Sequence, residues 1–171
     1  MAISSGFLVS NNKRFQRAHQ RTEGLNNTPS ILLAEDSDDD AYFFHRALKK
    51  TCRPCRFLRA SNGKLAIQML EKMLGAKADS GNVLDLIFLD LKMPVMSGFE
   101  VLEWIQAAHQ ANDLRIIVLS GSNDQADRDR AASLGASGYL VKPITPQDLE
   151  NCLASLSGNK LPATVAAGEA F

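Results

Sequence analysis

The sequence is poor in several features that would define a functional class by themselves. It has 3 cysteines in 171 residues, and this small odd number does not suggest a disulfide framework. Its formal net charge is +0, which gives no support for a nucleic-acid or membrane partner held by charge. No apolar run approaches the ~20 residues that a transmembrane helix needs. Hydrophobic residues still make up 45% of the chain, which is enough for a buried core.

The two ends of the chain lack sustained hydrophobic periodicity. Residues 1–29 are rich in asparagine, serine, glutamine and arginine, and we predict a mobile or loosely docked extension there. A short partner-binding helix over residues 13–20 is the alternative. Residues 1–10 have no basic start of the kind that a signal peptide shows, so we expect a cytoplasmic protein. Glycine and proline interrupt residues 157–171, which we predict to be a tail. One folded domain is therefore predicted over residues 30–156.

Two of the cysteines form a C-x-x-C pair, Cys52 and Cys55. A redox pair of this kind follows a strand and opens a helix, whereas this one follows a helical pattern and precedes a strand. A zinc site would need a second pair of ligands, and the sequence shows none. We interpret the segment as a helix-to-strand turn stopped by Pro54, with a redox or metal role as the alternative.

Four short apolar runs each end in a charged or hydroxyl residue. Residues 31–34 are followed by Glu35 and Asp36, residues 86–89 by Asp90, residues 116–119 by Ser120, and residues 138–141 by Lys142. Continuous apolar runs of this length are typical of strands buried on both faces, as in a parallel sheet. We predict one further short strand at residues 57–58.

Helical patterns separate these strands. Apolar residues recur at helical spacing after each strand, and possible N-caps precede two of the patterns, namely Ser37 or Asp38 in the first and Asn123 in the fourth. Alternating strands and helices imply right-handed crossovers and a sheet covered on both faces. Five strands favour an α/β, flavodoxin-like (βα)5 fold, a doubly wound five-stranded parallel sheet in the order 2-1-3-4-5.

In such a sheet the ligand lies beyond the carboxyl ends of the strands, where all the polar endings meet. Three carboxylates without a matching set of cations suit Mg²⁺, which binds few carboxylates together with a phosphate. Asp90 can accept a phosphoryl group, while Lys142 and Ser120 can neutralise and hydrogen-bond its oxygens. Taken singly, each residue has an ordinary alternative: a capped turn for Glu35 and Asp36, a loop cap for Ser120, and a solvated charge for Lys142.

Four motifs carry a resemblance to a known family. They are ILLAEDS at residues 31–37, LDLKMP at 89–94 with SG at 97–98, VLSG at 118–121, and GASGYLVKP at 135–143. In this order and spacing they resemble the receiver domain of two-component response regulators, of the CheY-like, stand-alone type. The resemblance implies that Asp90 is the phospho-acceptor and that Ser120 and Lys142 contact the phosphoryl group. It also implies Mg²⁺ bound by Glu35, Asp36, Asp90 and the backbone carbonyl of Lys92, and a cis peptide bond at Lys142–Pro143.

The resemblance further implies a switch and its partners. Ser120 would move toward the phosphoryl group and Tyr139 would turn inward, with an aromatic simply packed at the sheet edge as the alternative for Tyr139. The surface of the fourth helix, fifth strand and fifth helix would then change its affinity for a downstream protein that the sequence does not identify. This surface could also form a homodimer. The phosphoryl donor would be a sensor histidine kinase or a histidine phosphotransfer protein. We expect no nucleic-acid partner and no membrane partner.

Two other functions remain possible. A phosphohydrolase of the aspartyl-phosphate class could use the same site, but such enzymes generally need a second carboxylate two residues after the nucleophile. Lys92 occupies that position, so we predict a phospho-acceptor rather than an enzyme. Lys92 and Ser122 also lie where the family tunes phosphoryl lifetime. The third hypothesis is a scaffolding receiver that binds its partner without phosphorylation.

Overall fold

The computed structural model describes residues 28–51, 53–74, 84–108 and 114–156. Within them, five strands alternate with five helices. In chain order these are β1 (Ser30–Ala34), α1 (Asp38–Lys50), β2 (Arg56–Ala60), α2 (Gly63–Leu74), β3 (Leu86–Asp90), α3 (Gly98–Ala107), β4 (Arg115–Ser120), α4 (Gln125–Ser133), β5 (Gly138–Val141) and α5 (Pro146–Ser155). The predicted helix over residues 13–20, Cys52 and the predicted tail lie outside the described residues, as do residues 1–27 of the predicted extension.

The strands form one parallel sheet in the order β2-β1-β3-β4-β5, which confirms the predicted flavodoxin-like fold. Its register brings the polar strand endings to one edge. Ala34 pairs with Leu89, so Glu35 and Asp90 follow side by side at the centre of the sheet. Ser120 pairs with Val141, which places Lys142 just beyond Ser120.

Helices cover both faces of the sheet because successive residues of each strand point to opposite sides. On one face, Leu32, Ile87 and Val118 belong to a buried cluster with residues of α2 and α3. On the other face, Ile31 and Phe88 pack with residues of α1 and α5. The strands are therefore buried on both sides, as their continuous apolar sequence predicts.

Polar caps fix where the helices begin, and one predicted cap was wrong. Ser37 caps α1 and accepts a hydrogen bond from the backbone N–H of Asp40, as expected. The cap of α4 is Asp124, not Asn123, because Asp124 directly precedes the first helical residue and accepts from the N–H of Ala126. The Asn123 side chain instead accepts from the guanidinium of Arg128.

The C-x-x-C segment lies between α1 and β2, where we predicted a turn. Cys55 is half-buried, and burial raises the pKa of its thiol, which disfavours the reactive thiolate. Cys52 lies outside the described residues, so the pair itself stays untested. Among the described helices, none combines the length and the apolar character required to cross a bilayer.

Candidate functional site

Three carboxylates meet at the carboxyl edge of the sheet. Glu35, Asp36 and Asp90 each offer an oxygen atom that lies within 4.8 Å of the other two. Glu35 and Asp90 are buried and Asp36 is exposed. Burial raises the pKa of both Glu35 and Asp90, and Lys142 partly opposes this increase. Clustered hard oxygen donors, two of them desolvated and one open to solvent, fit a partly hydrated Mg²⁺ ion.

The ammonium of Lys142 lies among carboxylates at this edge. Its Nζ atom is 2.6 Å from Oε2 of Glu35, 2.8 Å from Oδ2 of Asp40 and 3.3 Å from Oδ1 of Asp90. Burial opposes the charged form, but the hydrogen bonds to Asp40 and Glu35 hold the pKa of Lys142 above its ordinary range. A permanently charged group therefore lies beside Asp90, where it can stabilise negative charge that develops there.

Two residues of this site, Asp40 and Arg59, were not predicted from the sequence. Asp40 lies in the first turn of α1, and its carboxylate accepts a hydrogen bond from the ammonium of Lys142. Arg59 donates hydrogen bonds to the backbone oxygens of Glu35 and Asp36 and to the carboxylate of Asp38. Its position next to the last residue of β2 could have revealed it, because the rule that polar strand endings meet at one edge also applies to this strand.

The loop after Asp90 approaches the acceptor closely. A Cβ atom on Gly98 would lie 2.2 Å from the backbone oxygen of Asp90, so only glycine fits there. The N–H of Gly98 donates to the carbonyl oxygen of Leu91, which closes the loop. The backbone of Lys92 hydrogen-bonds the Asp90 carboxylate, while the Lys92 side chain is exposed. The peptide backbone of this loop thus lies against the predicted metal site.

Ser120 and Tyr139 both hydrogen-bond Ser122. The Ser120 hydroxyl oxygen accepts a hydrogen bond from the Ser122 N–H at 3.1 Å. The Tyr139 hydroxyl donates to the Ser122 carbonyl oxygen at 3.0 Å, and the Tyr139 ring is fully buried. The Arg128 guanidinium lies 4.4 Å from the centre of that ring. Displacing the Ser120 hydroxyl would therefore disturb the segment that holds Tyr139.

Apolar residues surround the approach to the site. A pocket beside Glu35, Asp40 and Lys142 is further lined by Phe43, Phe44, Leu119, Pro143 and Ile144. The Lys142–Pro143 peptide bond is cis, as the resemblance implies. Phe43 and the residue before it in α1, Tyr42, have exposed side chains, with Tyr42 62% and Phe43 59% accessible to solvent.

Comparisons with known proteins agree with this architecture. The family described as the response regulator receiver domain matches residues 31–154. The chain is 30% identical over 127 residues to a probable cyclic di-GMP phosphodiesterase of Vibrio cholerae, covering 74% of this chain and 26% of the relative. It is 24% identical over 162 residues to the two-component response regulator ORR2 of Oryza sativa subsp. indica, covering 81% and 64%. This chain thus spans less than two thirds of either relative.

A solved structure shows the same fold over its full length. The crystal structure of a two component response regulator from Cytophaga hutchinsonii is 26% identical and superimposes with a TM-score of 0.69, covering 78% of this chain and 100% of that one. The chain belongs to the response regulator receiver domain family. Members of this family bind Mg²⁺ through acidic residues, exchange signals with histidine kinases or phosphotransfer proteins, and are generally not enzymes.

Proposed function

We propose that this protein is a phospho-acceptor that takes a phosphoryl group on Asp90 from a sensor histidine kinase or a histidine phosphotransfer protein. One observation carries the proposal. The buried Asp90 carboxylate has an oxygen within 4.8 Å of oxygens of two possible Mg²⁺ ligands, Glu35 and Asp36, and it lies 3.3 Å from the ammonium of Lys142. The domain would extend over residues 30–156, with residues 1–29 and 157–171 as flanking segments.

The chemistry proceeds at one oxygen of Asp90. That oxygen attacks phosphorus while the bond to the donor imidazole nitrogen breaks, and the electron pair of that bond stays on the nitrogen. Glu35, Asp36, Asp90 and the carbonyl oxygen of Lys92 would hold Mg²⁺, which supplies positive charge to the phosphoryl oxygens. Lys142 donates a hydrogen bond to a second phosphoryl oxygen, and the Ser120 hydroxyl donates to a third.

The same contacts suggest how the signal leaves the site. When the Ser120 hydroxyl turns toward the phosphoryl group, it loses the hydrogen bond from Ser122. Because Ser122 also accepts from Tyr139, the packing of Tyr139 changes with it. This is a two-state element biased by a local charge, and its output would be the surface of α4, β5 and α5. A downstream protein or a second copy of the chain would bind that surface.

The donor must present its histidine to a buried carboxylate. Phe43 lines the pocket beside Glu35 and Lys142, and the exposed ring of Tyr42 packs edge-on against Phe43, so the two rings offer an apolar contact that supports a protein donor. The expected absence of nucleic-acid and membrane partners and the cytoplasmic location stay predictions.

Acetyl phosphate tests the proposal without a cognate kinase. With Mg²⁺, the intact mass of the wild-type chain should increase by one phosphoryl group, and Trp104 fluorescence should change. Asp90→Asn and removal of Mg²⁺ by a chelator should both abolish the increase, whereas the matched control Asp39→Asn on exposed α1 surface should retain it. Labelling that persists in Asp90→Asn, or a wild type that no donor labels, would contradict the proposal.

The two alternative functions predict different outcomes. A phosphohydrolase would turn over a phosphomonoester many times, faster than the phosphorylated protein decays. The exposed Lys92 side chain, in place of a general acid or base, argues against this activity. A scaffolding receiver would signal normally in cells that carry Asp90→Asn. The desolvated acceptor with its adjacent ammonium argues against that hypothesis.

A further inference from the structure

Arg59 is a cation near the carboxyl edge of the sheet, and it contacts the backbone oxygens of the acidic loop. We propose that Arg59 is a positioning residue that holds the β1–α1 loop, residues 35–37, in the shape that binds Mg²⁺. The inference rests on the proposed function, since it concerns the same metal site. It assigns to β2 a role that neither the motifs nor the comparisons indicate.

Three hydrogen bonds connect the guanidinium to the loop and to the first residue of α1. Nε donates to the carbonyl oxygen of Glu35 at 3.1 Å, and Nη2 donates to the carbonyl oxygen of Asp36 at 3.1 Å. Nη1 donates to Oδ1 of Asp38 at 2.7 Å. A planar fork with fixed donor directions can hold consecutive carbonyl groups at a set spacing, which a lysine ammonium cannot do.

The loop needs these donors because it leaves the sheet at Glu35. The last ladder bond on this side runs from the N–H of Glu35 to the carbonyl oxygen of Ala60. Beyond it, Arg59 donates hydrogen bonds to the carbonyl oxygens of Glu35 and Asp36. The Glu35 side chain also holds the loop, since its Oε1 atom accepts a hydrogen bond from the N–H of Ser37. The backbone that carries both metal carboxylates is therefore held from two directions.

Arg59 holds the loop without occupying the metal-binding atoms. It contacts the backbone oxygens of Glu35 and Asp36, and within the described part of the chain its one ion pair is with Asp38, whose side chain is 92% exposed. The exposed ion pair by itself contributes little, so the two carbonyl contacts carry the effect. The positive charge of Arg59 repels Mg²⁺ while its geometry favours binding. The two contributions have opposite signs and can be separated by substitution.

Arg59→Lys keeps the positive charge and removes the planar guanidinium that donates to both carbonyl oxygens. Isothermal titration of the full chain with Mg²⁺ alone should show binding weakened about tenfold, the usual effect of losing a group that orients metal ligands. Arg59→Gln, which also removes the repulsion, should lose less affinity than Arg59→Lys. Arg56→Lys, at the opposite end of the same strand, is the matched control and should bind like wild type. Raising Mg²⁺ to saturation should restore the acetyl phosphate labelling rate of Arg59→Lys to the wild-type value.

A merely structural role gives a different result. If Arg59→Lys lowers the unfolding midpoint but leaves the Mg²⁺ dissociation constant unchanged, the inference is overturned while wild-type labelling upholds the proposed function. If Arg59→Lys weakens Mg²⁺ binding while no phosphoryl donor labels the wild type, the inference stands and the proposed function fails. A wild-type chain that binds no Mg²⁺ overturns both.

Discussion

The ammonium nitrogen of Lys142 lies 2.6 Å from Oε2 of Glu35, a residue 107 positions earlier in the chain. The contact joins the end of β1 to the end of β5, which are not neighbours in the sheet. It also places a cation 3.3 Å from the Asp90 carboxylate. Three of the four polar strand endings therefore meet in one ion-pair network, and the network makes folding and phosphoryl chemistry depend on the same groups.

Lys142→Met should expose this dependence. Without its ammonium, Glu35 and Asp90 remain buried with no counter-charge from this side, and unfolding free energy should fall by about 1–3 kcal/mol. Urea denaturation in the absence of divalent ions measures this loss. Adding Mg²⁺ should recover part of it, because the ion neutralises the same carboxylates. Lys92→Met is the control: that side chain is exposed, so its stability should stay within about 0.5 kcal/mol of wild type. Equal stability of Lys142→Met and wild type would contradict the network.

The acidic cluster should also give stability a characteristic pH dependence. Burial raises the pKa of Asp90 and of Glu35, with Lys142 opposing the increase. The folded protein therefore keeps protons that the unfolded chain has released, and these groups make stability fall as pH rises above about 4. The pKa of Lys142 is raised by its carboxylate partners despite burial, so Lys142 stays protonated in both the folded and the unfolded state below about pH 10 and its own titration adds nothing to this slope.

Asp90→Asn should make the stability of the protein fall less steeply as pH rises. Without Mg²⁺ its unfolding midpoint should exceed that of wild type by a few degrees near pH 7, and the difference should shrink toward pH 4. Thermal melts at several pH values measure it. Asp39→Asn, an exposed carboxylate on α1, should follow wild type throughout. A difference that is constant with pH would show that titration of Asp90 is not its cause.

The pattern of apolar and polar residues along the chain predicts most of the fold. The two site residues that it does not predict act through side chains that extend away from their own backbone positions. Continuous apolar runs specify strands buried on both faces, and the alternation with helices then leaves few topologies. The polar residue after each run marks the functional edge, which is how Asp90 and Lys142 were placed. Asp40 and Arg59 were not predicted because their roles depend on three-dimensional position. Asp40 lies on a helix, and the guanidinium of Arg59 is at the end of a long side chain. A lysine with three carboxylate partners cannot be inferred from spacing alone.

Two glycines beside the site should respond very differently to alanine. A Cβ atom on Gly98 would lie 2.2 Å from the backbone oxygen of Asp90, and one on Gly121 would meet nothing within 4 Å. Gly98→Ala should therefore cost about 2–4 kcal/mol of stability and slow acetyl phosphate labelling, because the Asp90 backbone must shift. Gly121→Ala, directly after Ser120, should stay within about 0.5 kcal/mol of wild type. Similar stabilities for the two variants would refute the close approach at Gly98.

The loop between Asp90 and Gly98 contains a strained residue, Val95. Its φ angle is 69°, a left-handed conformation that costs a β-branched residue about 1–2 kcal/mol. Its side chain is 80% exposed, so little packing is lost when it is replaced. Val95→Asn should raise unfolding free energy by about 0.5–1 kcal/mol, because asparagine tolerates this conformation. Urea denaturation measures the gain.

Val95→Ala separates strain from side-chain size in the same loop. Alanine removes the branched side chain but keeps the Cβ atom that disfavours positive φ, so its gain should be clearly smaller than that of asparagine. Acetyl phosphate labelling should remain at the wild-type rate in both variants, since the Val95 side chain projects largely into solvent. An asparagine variant no more stable than the alanine variant would show that the left-handed backbone at this position carries no strain.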